Sequence, residues 1–210
     1  MAIGIERADA SVWLSGVGWE EYVRLRDLPE NYHVRMTYVD GDLELMSPSR
    51  PHERIATLID RFIIVWTELR GAAIQGCRTT TLQRKDLSRG LEPDNGYYIE
   101  HEEQAREREE LDLSVELPPD LAVEVDLRSP SRNRMPIYAA IGVPEVWLWR
   151  RGTLSVFRLA AGEYAAEEDS VCLPGFPFRL AERLIDRRSE MDDNGLARVF
   201  REEIRAQGGA

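Results

Sequence analysis

The chain has 210 residues, which suits one domain or one domain with small appendages. Its formal charge of −11 argues against nucleic-acid binding through a generally basic surface, so a nuclease would need local cations or metal ions. No apolar run approaches the ~20 residues that cross a bilayer, and residues 1–10 lack the apolar core of a signal peptide, so we expect a cytoplasmic protein. Cys77 and Cys172 show no metal-ligand spacing and are expected to be buried thiols.

The first part of the chain predicts a helix, a hairpin and a long helix. Residues 15–27 have approximately helical spacing of apolar side chains and form the first helix. Residues 32–46 predict a β-hairpin, because Asp40-Gly41 favours the positive φ angles of a two-residue turn. Residues 52–69 carry apolar side chains at three- and four-residue steps, which predicts the main helix, and Gly71 ends it.

The second part predicts shorter elements around one central strand. Strands are expected at residues 73–82, 92–99, 119–126, 145–150 and 154–159, followed by a short strand from residue 162. Helices are expected at residues 132–141 and 181–205, and the charged residues 100–110 predict a solvated loop or exposed helix. This order of elements indicates a mixed β-sheet flanked by helices.

Two carboxylates stand out against this framework. Leu121 to Val123 are apolar without alternation, as in a strand covered on both faces, and Glu124 interrupts the run. A buried carboxylate is costly unless it is paired or binds a metal. Asp94, in Glu92-Pro93-Asp94, supplies a second carboxylate. We therefore predict that Asp94, Glu124 and the backbone carbonyl of Val125 hold Mg²⁺ or Mn²⁺, which prefer oxygen ligands.

Several segments, taken in order, resemble one nuclease family. They are YVDGDLELMSP at residues 38–48, His52, EPD at 92–94, PDLAVEVD at 119–126, SPS at 129–131 and PIYAAIGVPEVW at 136–147. Together they resemble the Uma-type restriction endonuclease family of the PD-(D/E)XK nuclease superfamily. The resemblance runs from about Trp19 to Arg201.

That resemblance implies a restriction-endonuclease-like α/β fold with a central mixed β-sheet flanked by helices. We expect one such domain over residues 1–210, with a core at about 19–180 and a C-terminal helical extension at 181–210. The resemblance also implies metal-dependent hydrolysis of DNA phosphodiester bonds. Asp94 and Glu124 would be the metal ligands, and Glu44 and His52 would be further site residues.

The chain departs from the superfamily motif at Asp126, where Lys is usual. A cation from the next segment, Arg128, Arg132 or Arg134, would have to replace it, and Arg134 stands where the helix should begin. An arginine binds phosphate in a bidentate manner but stays protonated, so Arg134 would clamp the transition state without accepting a proton. The sequence therefore leaves a second reading open, a nuclease-fold module that binds metal or nucleic acid without turnover.

Structural explanations for the same residues also remain open at this point. Asp94 is compatible with an Asx-turn, since Asp-Asn-Gly is turn chemistry. Asp126 is compatible with a helix cap or with an ion pair to Arg128 or Arg134, Glu44 with a solvated hairpin side chain, and His52 with a helix start. A third function class, an acidic surface that docks a basic protein, predicts that Asp94 and Glu124 lie apart. Cutting both strands of a duplex predicts a homodimer, and the apolar hairpin at residues 145–159 is the expected interface.

Overall fold

The computed structural model describes residues 9–108, 113, 116–127 and 134–208. Its strands are β1 (Ala10–Ser15), β2 (Arg35–Val39), β3 (Asp42–Ser47), β4 (Gln75–Gly76), β5 (Leu82–Arg84), β6 (Arg89–Leu91), β7 (Asn95–Tyr98), β8 (Leu121–Asp126), β9 (Glu145–Arg150), β10 (Thr153–Ala160) and β11 (Glu163–Glu167). Its α-helices are α1 (Trp19–Arg26), α2 (Arg50–Arg70), α3 (Glu102–Arg106), α4 (Met135–Ile141), α5 (Phe178–Asp186) and α6 (Asp193–Ala206). Helices thus separate runs of one to four strands along the chain.

One sheet is mixed and contains the predicted central strand. Its order is β11-β10-β9-β8-β7-β4, in which β8 and β9 run parallel and the other described neighbours run antiparallel. Residues 121–125 of β8 are buried, as expected for a strand covered on both faces. The predicted mixed sheet flanked by helices is confirmed.

A second sheet was not expected from the sequence. It has five antiparallel strands in the order β1-β3-β2-β6-β5. The hairpin β2–β3 is confirmed, with positive φ at Asp40 and Gly41 (48° and 93°). β1 is exposed along its whole length, so no alternation of buried and exposed residues marks it in the sequence.

The long helix α2 has clear sequence signals at both ends. The Ser49 hydroxyl accepts the backbone N–H of His52 at its start, and Gly71 closes it in the left-handed conformation (φ 62°). Its apolar face packs on the mixed sheet and on α5 and α6. No helix within the described residues is both long and apolar enough to cross a membrane.

The C-terminal residues form two helices where one was expected. A short 3₁₀ turn, Arg187–Ser189, separates α5 from α6. The two helices bury their apolar residues in the same core as α2, and Phe200 stacks on Phe62 with ring centroids 4.5 Å apart. Trp147 and Trp149 of β9 lie in that core too, which confirms that they pack rather than face solvent.

Candidate functional site

The candidate site lies where β7 meets β8. Asn95 of β7 pairs with Val123 of β8 in an antiparallel register, so the next position along brings Asp94 opposite Glu124. Directly opposite residues of antiparallel strands have Cβ atoms about 4.5–5.5 Å apart. Both side chains are buried. The two predicted carboxylates are therefore neighbours, and the arrangement expected for a mere acidic docking surface, with the two apart, is not found.

Asp94 is held by donors on both of its oxygens. Its Oδ2 accepts the backbone N–H of Val125 at 2.7 Å, and its Oδ1 accepts from Nε2 of His52 at 2.8 Å. Oδ1 also lies 3.1 Å from Nη1 of Arg35. Burial favours the neutral acid, but His52 and Arg35 outweigh it and hold the pKa of Asp94 below its usual value. Asp94 is consequently an ionised carboxylate that is buried away from solvent. Its hydrogen-bond partners, His52 and Val125, lie far along the chain, so the Asx-turn reading of this residue is wrong.

His52 is completely buried between two aspartates. Its Nε2 faces Asp94, and its Nδ1 lies 3.1 Å from Oδ2 of Asp9, just before β1. Burial opposes a charge on the ring, yet the hydrogen bonds and charges of Asp9 and Asp94 raise the pKa of His52 to about 10. The ring is therefore an imidazolium that donates from both nitrogens, and it cannot accept a proton near neutral pH.

Arg35 is a second buried cation beside Asp94. It opens β2, where its Nη1 donates to the Pro93 carbonyl at 2.8 Å and its Nη2 to Oε1 of Glu53 at 2.8 Å. Arg35 thus joins the antiparallel sheet, the first turn of α2 and the entry to β7. This network fixes the position of the Asp94 carboxylate.

Glu124 has its own cation, supplied by Arg134. Nη1 of Arg134 lies 3.1 and 2.9 Å from the two carboxylate oxygens, and the Tyr138 hydroxyl donates to Oε1. Arg134 is the N-cap of α4, and Tyr138 follows one turn later on the same helix. Burial raises the pKa of Glu124; the Arg134 charge opposes that rise and the Asp94 charge adds to it.

Glu44 also belongs to this buried cluster. It lies in β3, opposite Thr37 of β2, and is completely buried, so the solvated reading of this hairpin residue is wrong. Its negative charge contributes to raising the pKa of Arg134. The structure thus brings together five predicted side chains: Glu44, His52, Asp94, Glu124 and Arg134.

The family of this chain follows from its similarity to a known protein-family model. A family model described as "Uma2: Putative restriction endonuclease" matches residues 19–181. The chain belongs to the Uma2 family. The family resemblance carried by the motifs is thereby confirmed.

Similarity to individual proteins is lower. A solved structure described as a "putative nuclease" from Anabaena variabilis is similar over 86% of this chain and 97% of that chain, at 18% sequence identity and a TM-score of 0.48. No curated protein matches the sequence. The roles of individual residues in this Uma2 chain therefore depend on its own geometry.

Asp126, at the position where the superfamily motif usually has Lys, forms an ion pair with Arg150, which was not among the partners expected from the sequence. Its Oδ2 lies 3.5 Å from Nε of Arg150, which is directly opposite on the parallel strand β9. Of the cations considered from sequence, Arg134 turns to Glu124, whereas Arg128 and Arg132 lie outside the described residues. The guanidinium of Arg134 thus stands beside Glu124 in place of the motif lysine.

The donors at the site are all oxygen atoms, as a hard divalent cation requires. Asp94 and Glu124 supply carboxylates. The N–H and C=O of one strand residue point to the same side, so the Val125 carbonyl also faces the β7 side, where Asp94 accepts its N–H. Within the described ranges, no group of three or more His, Cys, Asp or Glu side chains is placed to hold an ion. The two carboxylates and the carbonyl are nevertheless oxygen donors, the kind of ligand that Mg²⁺ binds, and Mg²⁺ keeps several waters and uses few protein ligands.

A cleft of about 570 Å³ lies beside this cluster. Its floor includes Arg35, which contacts Asp94, and Glu92, whose backbone carbonyl accepts from Arg134. Its rim includes Tyr32, with 78% of its surface exposed, and the exposed side chain of His33. The cleft thus meets the cluster through Arg35 and Glu92, whereas Asp94 and Glu124 do not line it.

Three site residues escape prediction from the sequence. Arg35 and Asp9 carry no local signal, because each is placed by a contact with a segment far along the chain. Tyr138 has a usable signal, since it lies four residues after Arg134 in a predicted helix and therefore on the same face.

Proposed function

We propose that this Uma2 protein is a Mg²⁺- or Mn²⁺-dependent endonuclease that hydrolyses DNA phosphodiester bonds. The observation that carries the proposal is the position of buried Asp94, just before β7, beside Glu124 and Val125 of β8 and next to a buried arginine. Membership of a family described as restriction endonucleases supports it. The overall charge of −11 makes the local cations and the ion essential to it.

The residues divide into ligands and supports. Asp94, Glu124 and the Val125 carbonyl would hold the ion, which when bound polarises a phosphoryl oxygen and lowers the pKa of a water. His52 and Arg35 keep Asp94 ionised and fixed in position. Arg134 would stabilise negative charge on the phosphoryl oxygens, because a guanidinium donates in a bidentate manner to phosphate.

DNA would reach the site along the cleft. Tyr32 offers an exposed ring at the rim for stacking on a base, and Arg35 lies at the floor. We further propose a homodimer, because cutting a duplex requires two sites. The β9–β10 hairpin, expected from the sequence to form the interface, buries most of its apolar side chains in the core of the chain itself, so that expectation is wrong. The cytoplasm is the proposed location.

Plasmid cleavage tests the proposed active site. Supercoiled plasmid is incubated with Mn²⁺ and the wild type, Asp94→Asn or Glu124→Gln, and nicked and linear products are quantified. Each substitution should lower the rate by roughly 100-fold or more, as loss of a group that stabilises the transition state does. The matched control is Asp126→Asn, which removes a carboxylate from the same face of β8 and should keep wild-type cleavage. Cleavage that persists in both site variants refutes the assignment.

A second candidate function is supported by the protonation states of His52 and Arg134. Within the described part of the cluster, His52 is already protonated and Arg134 cannot lose its proton, so neither can deprotonate water. This favours a nuclease-fold module that binds metal or nucleic acid without turnover. Calorimetry with Mn²⁺ separates the two functions: binding without plasmid cleavage supports the module, and binding with cleavage supports the enzyme.

A further inference from the structure

The Arg134 guanidinium lies against both oxygens of Glu124, on the side where an ion held by both oxygens would bind. Nη1 lies 3.1 and 2.9 Å from the two carboxylate oxygens, and the Tyr138 hydroxyl donates to one of them. Both oxygens therefore already have a donor within the fold. A Mg²⁺ ligand oxygen must approach the ion to about 2.0–2.1 Å, which a guanidinium on the same oxygens obstructs.

The negative charge of Glu124 is also already paired. Arg134 contacts its carboxylate, and the cations His52 and Arg35 lie beside the neighbouring Asp94. A divalent cation entering this cluster would meet a like charge at the carboxylate that it has to bind. Arg134 and the ion therefore compete for Glu124.

Arg134 also has donors left over. Only 6% of its surface is exposed, and its Nε and Nη2 atoms have no hydrogen-bond partner among the described residues. A buried donor without a partner is unfavourable, so a position in which these atoms bind an oxyanion would relieve that cost. A phosphate oxygen pair matches the fork of Nε and Nη2.

From this geometry we propose that Arg134 is an exchangeable counter-ion of Glu124, which leaves the carboxylate when a divalent cation binds there and turns towards a phosphate group. The inference rests on the proposed function in taking Glu124 as a metal ligand. It adds that the arrangement described here is the metal-excluding state of the site.

Mn²⁺ affinity of the metal-free protein tests the exchange without any activity measurement. Calorimetry and the electron paramagnetic resonance signal of free Mn²⁺ give the Kd of the wild type and of Arg134→Met. Removing one partner of a buried pair leaves a carboxylate without its counter-charge, so Arg134→Met should bind Mn²⁺ at least about tenfold more tightly than the wild type. Arg150→Met, which removes the cation paired with Asp126, should leave the Kd unchanged.

A milder variant keeps the inference testable if Arg134→Met does not fold without metal. Tyr138→Phe removes the hydroxyl that donates to Glu124 but keeps every charge, and it should tighten Mn²⁺ binding by about threefold. Mn²⁺ should also raise the Tm of either variant more than that of the wild type.

The outcomes separate this inference from the proposed function. If the wild type binds Mn²⁺ and neither variant binds more tightly, the exchange is refuted and the metal site survives. If no form of the protein binds Mn²⁺, both the exchange and the metal-dependent function are refuted.

Discussion

Replacing His52 by Gln should remove a pH-dependent part of the stability of this protein. The folded state raises the pKa of His52 to about 10 from the ordinary 6.5. Because the folded state binds the His52 proton more tightly than the unfolded state, this proton stabilises the fold. The stabilisation is complete below pH 6.5, the pKa in the unfolded state, and is lost as the pH rises towards 10, the pKa in the folded state. At 1.36 kcal/mol per pKa unit, it amounts to roughly 4 kcal/mol at pH 7 and falls by roughly 2 kcal/mol between pH 7 and 8.5.

Urea unfolding at several pH values between 7 and 8.5 measures this contribution. The upper limit of pH 8.5 keeps the contribution of cysteine small. Burial raises the pKa of Cys77 from 9.0 to about 12, so above pH 9 the thiol ionises in the unfolded state but not in the folded state, and stability falls for that separate reason. The wild type should lose roughly 2 kcal/mol of unfolding free energy over this range, and His52→Gln should lose far less. His33→Gln, at an exposed position, should retain the slope of the wild type.

His52→Gln should also be less stable than the wild type at pH 7, by about 3–5 kcal/mol, as expected when a buried ion pair loses one partner. Equal slopes for the wild type and His52→Gln would show that His52 is not held as an imidazolium between Asp9 and Asp94. A nuclear magnetic resonance titration that places the His52 pKa near its ordinary value would refute the reasoning in the same way.

Two packing predictions concern the core. Phe200→Ala should lower the free energy of unfolding in urea by about 3–5 kcal/mol, because the Phe200 ring stacks on Phe62 and its removal would leave a cavity between α2 and α6. A loss below about 1 kcal/mol, which is typical of a surface substitution, would contradict that packing. Gly90→Ala should cost about 1–3 kcal/mol, because the added Cβ would lie 2.5 Å from the Tyr22 hydroxyl. Gly76→Ala is the control, because its added Cβ would lie at an ordinary 4.0 Å from the nearest atoms, and the Tm of this variant should match that of the wild type. Equal losses of Tm in the two glycine variants would contradict the predicted clash at Gly90.

Local patterns in the sequence determined the helix α2, the β2–β3 hairpin and the buried strand β8. The apolar spacing of α2, the Asp40-Gly41 turn and the carboxylate of Glu124 inside an apolar run each depend on residues a few positions apart. Such signals arise from backbone geometry and burial, which act on near neighbours. The buried carboxylate of Glu124, together with the family resemblance, pointed to Asp94 and Glu124 as one site.

Tertiary structure alone decided the partners of those carboxylates. Arg35 reaches Asp94 from another sheet, and Asp9 reaches His52 across 43 residues. Among the three arginines that the sequence offers as the replacement cation, packing decides that Arg134 contacts Glu124. These contacts depend on how distant segments pack, and because charge acts through space rather than along the chain, no spacing in the sequence encodes them.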